Sequence, residues 1–229
     1  VYLGPQWGPA FPGADRSSVG PFIDVSRARD GEFFAFEAPD EGFGFNLIEK
    51  NGSAIGVTAN LQGKRKRSDT DGFLPSVGTS VELGVAAQTW LIPSVRLRGE
   101  VRKAVSGHKA FVANISADYV AQHGDDWLIS VGPRITLADG KYHRRYYDVR
   151  ASEAVPLSGL TPYRAKAGLH SVGAAASALY QLTDQWGLAA YAKYERLVGD
   201  AASSPVTREY GSRNQPSAGL AVSYTFSSK

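Results

Sequence analysis

An alternation with a period of two residues, repeated from one end of the chain to the other, constrains the fold more than any other feature. Residues 127 to 137 show it plainly: Trp127, Ile129, Val131, Pro133, Ile135 and Leu137 share one parity, and Ser130, Gly132, Arg134 and Thr136 share the other. Successive side chains of a β-strand point to opposite faces, so such a run is a strand with one apolar and one polar face. The pattern recurs at 54 to 62, 80 to 89, 95 to 102, 111 to 119, 171 to 182, 186 to 195 and 217 to 226. Weaker candidates at 1 to 11, 19 to 27, 32 to 38 and 42 to 48 bring the expected number to about twelve strands.

Helical and disulfide-stapled alternatives fall away. No run of ~18 apolar residues is present, so no transmembrane helix is expected. The 25 glycines and the 11% aromatic content suit sheet better than long helices. The chain has no cysteine, which removes disulfides, thiolate metal sites and cysteine nucleophiles together. Methionine is absent as well, and the chain is expected to begin after removal of a signal peptide.

Connection lengths separate the remaining all-β architectures. Short turns are expected at Arg29-Asp30-Gly31, Lys50-Asn51-Gly52, Ile92-Pro93, His123-Gly124-Asp125 and Thr183-Asp184-Gln185, and longer polar segments at 64 to 78, 139 to 169 and 199 to 214. Two further connections on the long side, near 39 to 41 and 105 to 108, read as short. A soluble sandwich does not sort its loops by rim, whereas an outer-membrane barrel has short periplasmic turns at one rim and longer loops at the other. The expectation is therefore a single domain over 1–229, a transmembrane up-and-down antiparallel β-barrel of the bacterial outer membrane. Trp90, Tyr119, Trp127, Tyr180 and Trp186 lie beside the short turns, where an interfacial aromatic girdle belongs. A last strand ending in an aromatic resembles the signal read by barrel-insertion machinery, which makes Phe226 the assembly residue; Ser227-Ser228-Lys229 behind it is a native extension or a remnant.

Two groups of charges are candidates for function. Glu82, Arg96, Arg98, Glu100, Arg102, Asp118, Arg134, Lys193 and Glu195 all fall on polar strand faces and are expected in the lumen. Two readings stay open: a salt-bridged filling, or, because arginines outnumber carboxylates at 95 to 102, a constriction selecting small anionic solutes. Lys64, Arg65, Lys66, Arg67, Lys141, Arg144 and Arg145 fall on long loops at the outer rim, beside His143. They are read either as solvated loop charge or as a contact for lipopolysaccharide phosphates. No basic stripe extends beyond the rim, so no nucleic-acid partner is expected. His108, His123, His143 and His170 fall in or beside turns, are not at ligand spacing, and are expected to be solvated. His170 and Ser171 are neighbours in a strand and would point to opposite faces, which argues against a hydrolytic pair. No phosphate-cradling loop, metal site, cofactor or enzymatic activity is expected.

The last ninety or so residues carry a more specific signal. Tyr146-Tyr147-Asp148-Val149, Ser158-Gly159-Leu160 with Tyr163, the strand from Ala176 into Leu182-Thr183-Asp184-Gln185-Trp186, Arg196-Leu197-Val198-Gly199-Asp200-Ala201 with Ser204-Pro205, and the closing strand follow in that order. Together they resemble the MipA/OmpV family, with the N-terminal half matching more loosely through glycine-rich strands and the phenylalanine-rich stretch at 33 to 45. That resemblance implies an outer-membrane barrel without catalytic residues, acting as a scaffold between a murein hydrolase and a murein synthase. A porin-like role, as a narrow channel for small and anionic solutes, is the alternative.

Overall fold

The computed structural model describes residues 1–25, 36–124, 126–154 and 158–226. The alternating segments become eleven strands: β1 Tyr2–Pro9, β2 Ser17–Asp24, β3 Phe43–Lys50, β4 Ser53–Gln62, β5 Ser80–Ile92, β6 Val95–Ala104, β7 Phe111–His123, β8 Trp127–Ala138, β9 Gly168–Gln181, β10 Trp186–Leu197 and β11 Asn214–Tyr224. They form one antiparallel sheet in the order β2-β1-β11-β10-β9-β8-β7-β6-β5-β4-β3. Sequential strands pair except β2 and β3, which form the two edges, and β1 also pairs with β11, with Tyr2 opposite Ser223 and Trp7 opposite Ala218. The amino group of Val1 donates to Tyr224 O at 2.9 Å, so the first and last strands meet at the short-turn rim.

Exposure runs opposite to that of a water-soluble domain. Leu61 is 73% exposed, Val131 51% and Leu220 64%, while Arg96 and Asp118 are fully buried. Charged residues are rarely buried unless paired, and an apolar outer face is what a lipid-facing wall requires. The side chains of one parity therefore line an interior around which the sheet curls. One buried cluster joins Phe22 of β2, Val120 of β7, Leu128 of β8, Leu179 of β9, Tyr191 of β10 and Ala221 of β11.

Both edge strands, β2 and β3, run from the long-loop rim to the short-turn rim: Asp24 lies opposite Tyr2, and β3 enters the Asn51-Gly52 turn. The described residues form eleven strands, against the twelve or so that the alternation predicts. Of the expected strand at 32 to 38, residues 32–35 lie outside the described residues, as does the Arg29-Asp30-Gly31 turn. Residues 36–38 are not strand. The expectation of a short rim connection near 39 to 41 is corrected: residues 36–42 run inside the sheet, with Phe36 against Trp90 at 6.3 Å between ring centres and Asp40 on Arg134 of β8. At the exit into β3, Gly42 passes so close to β4 that a Cβ would lie 2.6 Å from Thr58 Oγ1 and 2.8 Å from Ala59 O.

The short turns follow from local chemistry. Asn51 and Gly52 take φ of 51° and 75°, the left-handed pair that a two-residue hairpin needs. Tyr119, Trp127 and Trp186 face outward at this rim, with Trp127 stacked across strands on Tyr180 at 4.5 Å. Trp90 departs from the expected girdle: it shares the inward parity of Glu82 and Ala86 and packs on Phe36.

At the other rim the long connections fold into a cap. It holds α1 Gly140–Tyr147, α2 Gly199–Ser203 and α3 Pro205–Tyr210. Asp139 caps α1 by accepting from Tyr142 N. Tyr142, Tyr146, Tyr147, Leu197, Ala201 and Ala202 form the cap's apolar core. Burial pushes the Tyr142 phenol well above its usual pKa, so it stays a neutral donor to Gln62 Oε1.

Candidate functional site

Every charged residue assigned to the lumen by parity is there, and together they form a closed circuit. Arg102 Nε meets Glu82 Oε2 at 2.8 Å, and its Nη1 meets Glu100. Glu100 Oε2 accepts from Arg98 Nη2 at 3.2 Å. Arg98 Nε lies 3.4 Å from Glu41, which also takes Arg96 Nη2. Arg96 continues to Asp118 Oδ2 at 2.9 Å, and Asp118 Oδ1 meets Arg134 Nη2 at 2.8 Å. Arg134 grips Asp40 with two parallel bonds, Nε to Oδ2 at 2.8 Å and Nη2 to Oδ1 at 2.9 Å. Asp40 lies 4.0 Å from Lys193 Nζ, which pairs with Glu195 at 3.0 Å. The ring closes through Glu195, Thr136 and Asn114, the last accepting from Arg102 Nη2 at 2.9 Å.

Two members of this circuit, Asp40 and Glu41, were not identifiable by alternation, because they lie on a non-strand segment. The signal that would have found them is charge balance. Arg96, Arg98, Arg102, Arg134 and Lys193 face Glu82, Glu100, Asp118 and Glu195 on the wall, one cation in excess. An unpaired buried charge is costly, so further carboxylates had to come from elsewhere. Phe36-Glu37-Ala38-Pro39-Asp40-Glu41, acidic and broken by proline, is the nearest source.

The histidine expectation is corrected for three of the four. His108, His143 and His170 are buried, because the cap folds over them; His123 is exposed. His108 Nε2 lies 2.9 Å from Glu82 Oε1, and its ring meets Tyr142 edge-on at 4.9 Å. His143 Nε2 and His170 Nδ1 are 3.3 Å apart, and His143 Nδ1 is bonded to Lys166 O. His170 and Ser171 both point inward, against the alternation rule, because the β8–β9 register shifts between Thr136 and Leu137. Such an irregularity inserts an extra residue and re-aims its side chain. Ser171 Oγ then donates to Glu195 Oε1 at 2.9 Å, as a structural partner of the ring.

At the outer rim, Lys64, Lys66, Arg67, Lys141, Arg144 and Arg145 are exposed. Arg65 is the exception: 2% exposed, it donates to Tyr146 O at 2.6 Å, Pro75 O at 3.1 Å and Arg145 O at 3.2 Å. It is a staple between the loop that carries Lys64, Lys66 and Arg67 and the one that carries Lys141, Arg144 and Arg145. At the C-terminus, Phe226 is 75% exposed and meets Tyr224 edge-on at 4.8 Å between ring centres; Ser227 to Lys229 lie outside the described residues.

A curled antiparallel sheet that is apolar outside and ion-paired inside, with short turns at one rim and folded loops at the other, defines an outer-membrane β-barrel protein. The family model described as "MltA-interacting protein MipA" matches residues 1–226, and the chain belongs to that family. Among solved structures it is similar to Neisserial surface protein A, NspA, at 13% identity over 76% of this chain and 95% of that one, with a TM-score of 0.31. A search of curated proteins found no match.

Proposed function

We propose that the protein is a non-enzymatic scaffold of the bacterial outer membrane, linking the cell envelope to murein machinery through its periplasmic turns and rim. The observation that carries this reading is the lumen. An ion-pair circuit crosses it and a folded cap lies above it, so the surfaces left for a protein partner are the rims and the outer wall. The family description, an MltA-interacting protein, supports a protein partner; a murein hydrolase and a murein synthase are the partners we assign to it. Affinity capture from detergent-solubilised envelopes tests it: co-purification of murein enzymes supports the scaffold, and their absence with the barrel intact argues against it.

A cavity of about 910 Å³, lined in part by Arg98, Arg102, Arg134 and Lys193, favours a second reading, a narrow porin-like channel for small anionic solutes. Planar-bilayer recording separates the two: stable anion-biased steps support the channel, and a silent barrel supports the scaffold. At the outer rim we assign Lys64, Lys66, Arg67, Lys141, Arg144 and Arg145 to lipopolysaccharide phosphates, the anions met at that height of the membrane. Phe226 is assigned to recognition by the insertion machinery.

A further inference from the structure

Most ion pairs of the lumen join wall to wall, as Arg102 joins Glu82 and Lys193 joins Glu195. Asp40 and Glu41 are different, because they belong to a segment that side chains hold in place. Among the described residues, the only backbone–backbone bond of 36–42 is internal, Glu41 N to Ala38 O at 3.0 Å. The wall meets these two neighbouring carboxylates with a built recognition surface. Arg134 takes Asp40 with the two-pronged geometry of a carboxylate clamp. Arg96 and Arg98 converge on Glu41, and Ser116 Oγ lies 3.4 Å from it. The surface opens onto the 910 Å³ cavity, whose lining includes Asp40, Glu41, Arg98 and Arg134, so a solute in the cavity reaches it without opening the wall.

We propose that Arg96, Arg98 and Arg134, flanked by Ser116 and Lys193, form a binding site for a small polycarboxylate, and that Asp40 and Glu41 occupy it as the chain's own ligand. A free solute with two or more carboxylates competes for the same forks and releases 36–42 from the wall. Tethered groups compete at roughly millimolar effective concentration, so displacement falls at about millimolar solute. The site stands apart from both the scaffold and the channel readings, since a silent barrel and a conducting one would bind alike.

The chain has no cysteine, so Ala38→Cys gives a single thiol at a position only 4% exposed. In the detergent-folded protein, citrate at constant ionic strength is expected to raise maleimide labelling of that thiol at least tenfold and saturably, while sodium chloride does not. Adding Asp40→Asn and Glu41→Gln is expected to bring labelling to the citrate-saturated level without citrate. Calorimetry on the protein without the cysteine provides an independent readout: saturable citrate binding, weakened at least tenfold by Arg134→Gln. Labelling that responds equally to citrate and chloride, or not at all, overturns the proposal, as does citrate binding that Arg134→Gln leaves unchanged. Foldedness of each variant is read from heat-modifiable gel mobility.

Discussion

Glu100 sits between Arg98 and Arg102, accepts weakly from Thr58 Oγ1 at 3.3 Å, and is 6% exposed. Glu100→Gln leaves two buried guanidinium groups short of charge, and breaking such a pair typically costs about 3 to 5 kcal/mol. The expected outcome is a loss of unfolding free energy of that size, read from a lower denaturation midpoint; a hydrated pore would screen the loss to near zero. Arg65 invites a different test. Its planar fork serves three carbonyls, a geometry lysine cannot reproduce, so Arg65→Lys is expected to speed proteolysis of the outer loops while the wall keeps its heat-modifiable mobility. Glu100 was legible in the sequence because parity alone places it inward. Arg65 was not, since a basic loop run looks the same whether its members are solvated or one of them is stapled beneath a neighbouring loop. His108, His143 and His170 share that difficulty: what buries them is a cap assembled from distant segments.

Among the elements, β8 is the strand whose sequence and structure agree most closely: its residues alternate exposed and buried from Trp127 to Ala138 without a break. Val131 faces lipid near mid-strand, and Val131→Arg is expected to cost about 2 to 4 kcal/mol, measured as a fall in the unfolding midpoint in bilayer or detergent. An unchanged midpoint would remove Val131 from the lipid face. In β9 the agreement breaks at one place, because the register shift turns His170 inward beside Ser171, and a bulge leaves no mark in a two-residue pattern. Segment 36–42 escaped for the opposite reason: the phenylalanine-rich stretch at 32 to 38 suggested a strand, whereas the work of 36–42 is done by carboxylates within the lumen. At the end of β11, Phe226→Ala is expected to lower the yield of folded barrel in the outer membrane far more than deletion of Ser227 to Lys229. Equal yields would leave Phe226 an ordinary girdle aromatic.

Seen whole, the molecule carries its charge unevenly. The long-loop rim bears the exposed cluster of Lys64, Lys66, Arg67, Lys141, Arg144 and Arg145, whereas the described short-turn rim carries Asp24, Glu49, Asp126 and Asp184 against Lys50. Replacing Lys64, Lys66, Arg67, Arg144 and Arg145 together by glutamine is expected to reduce lipopolysaccharide co-purifying with the barrel, with the melting temperature unchanged. Retention at the original level would leave these charges merely solvated. The pairing of β1 with β11 sets an order of events. Every strand from β3 to β10 finds its partner next to it in sequence, so hairpins zip as soon as both halves exist. β1 must instead wait for residues 214 to 224, more than two hundred positions away, before its second edge is covered. Among the described strands this is the one long-range pairing, made beside Phe226, and until it forms the sheet carries an extra open edge onto which another chain could add as a strand.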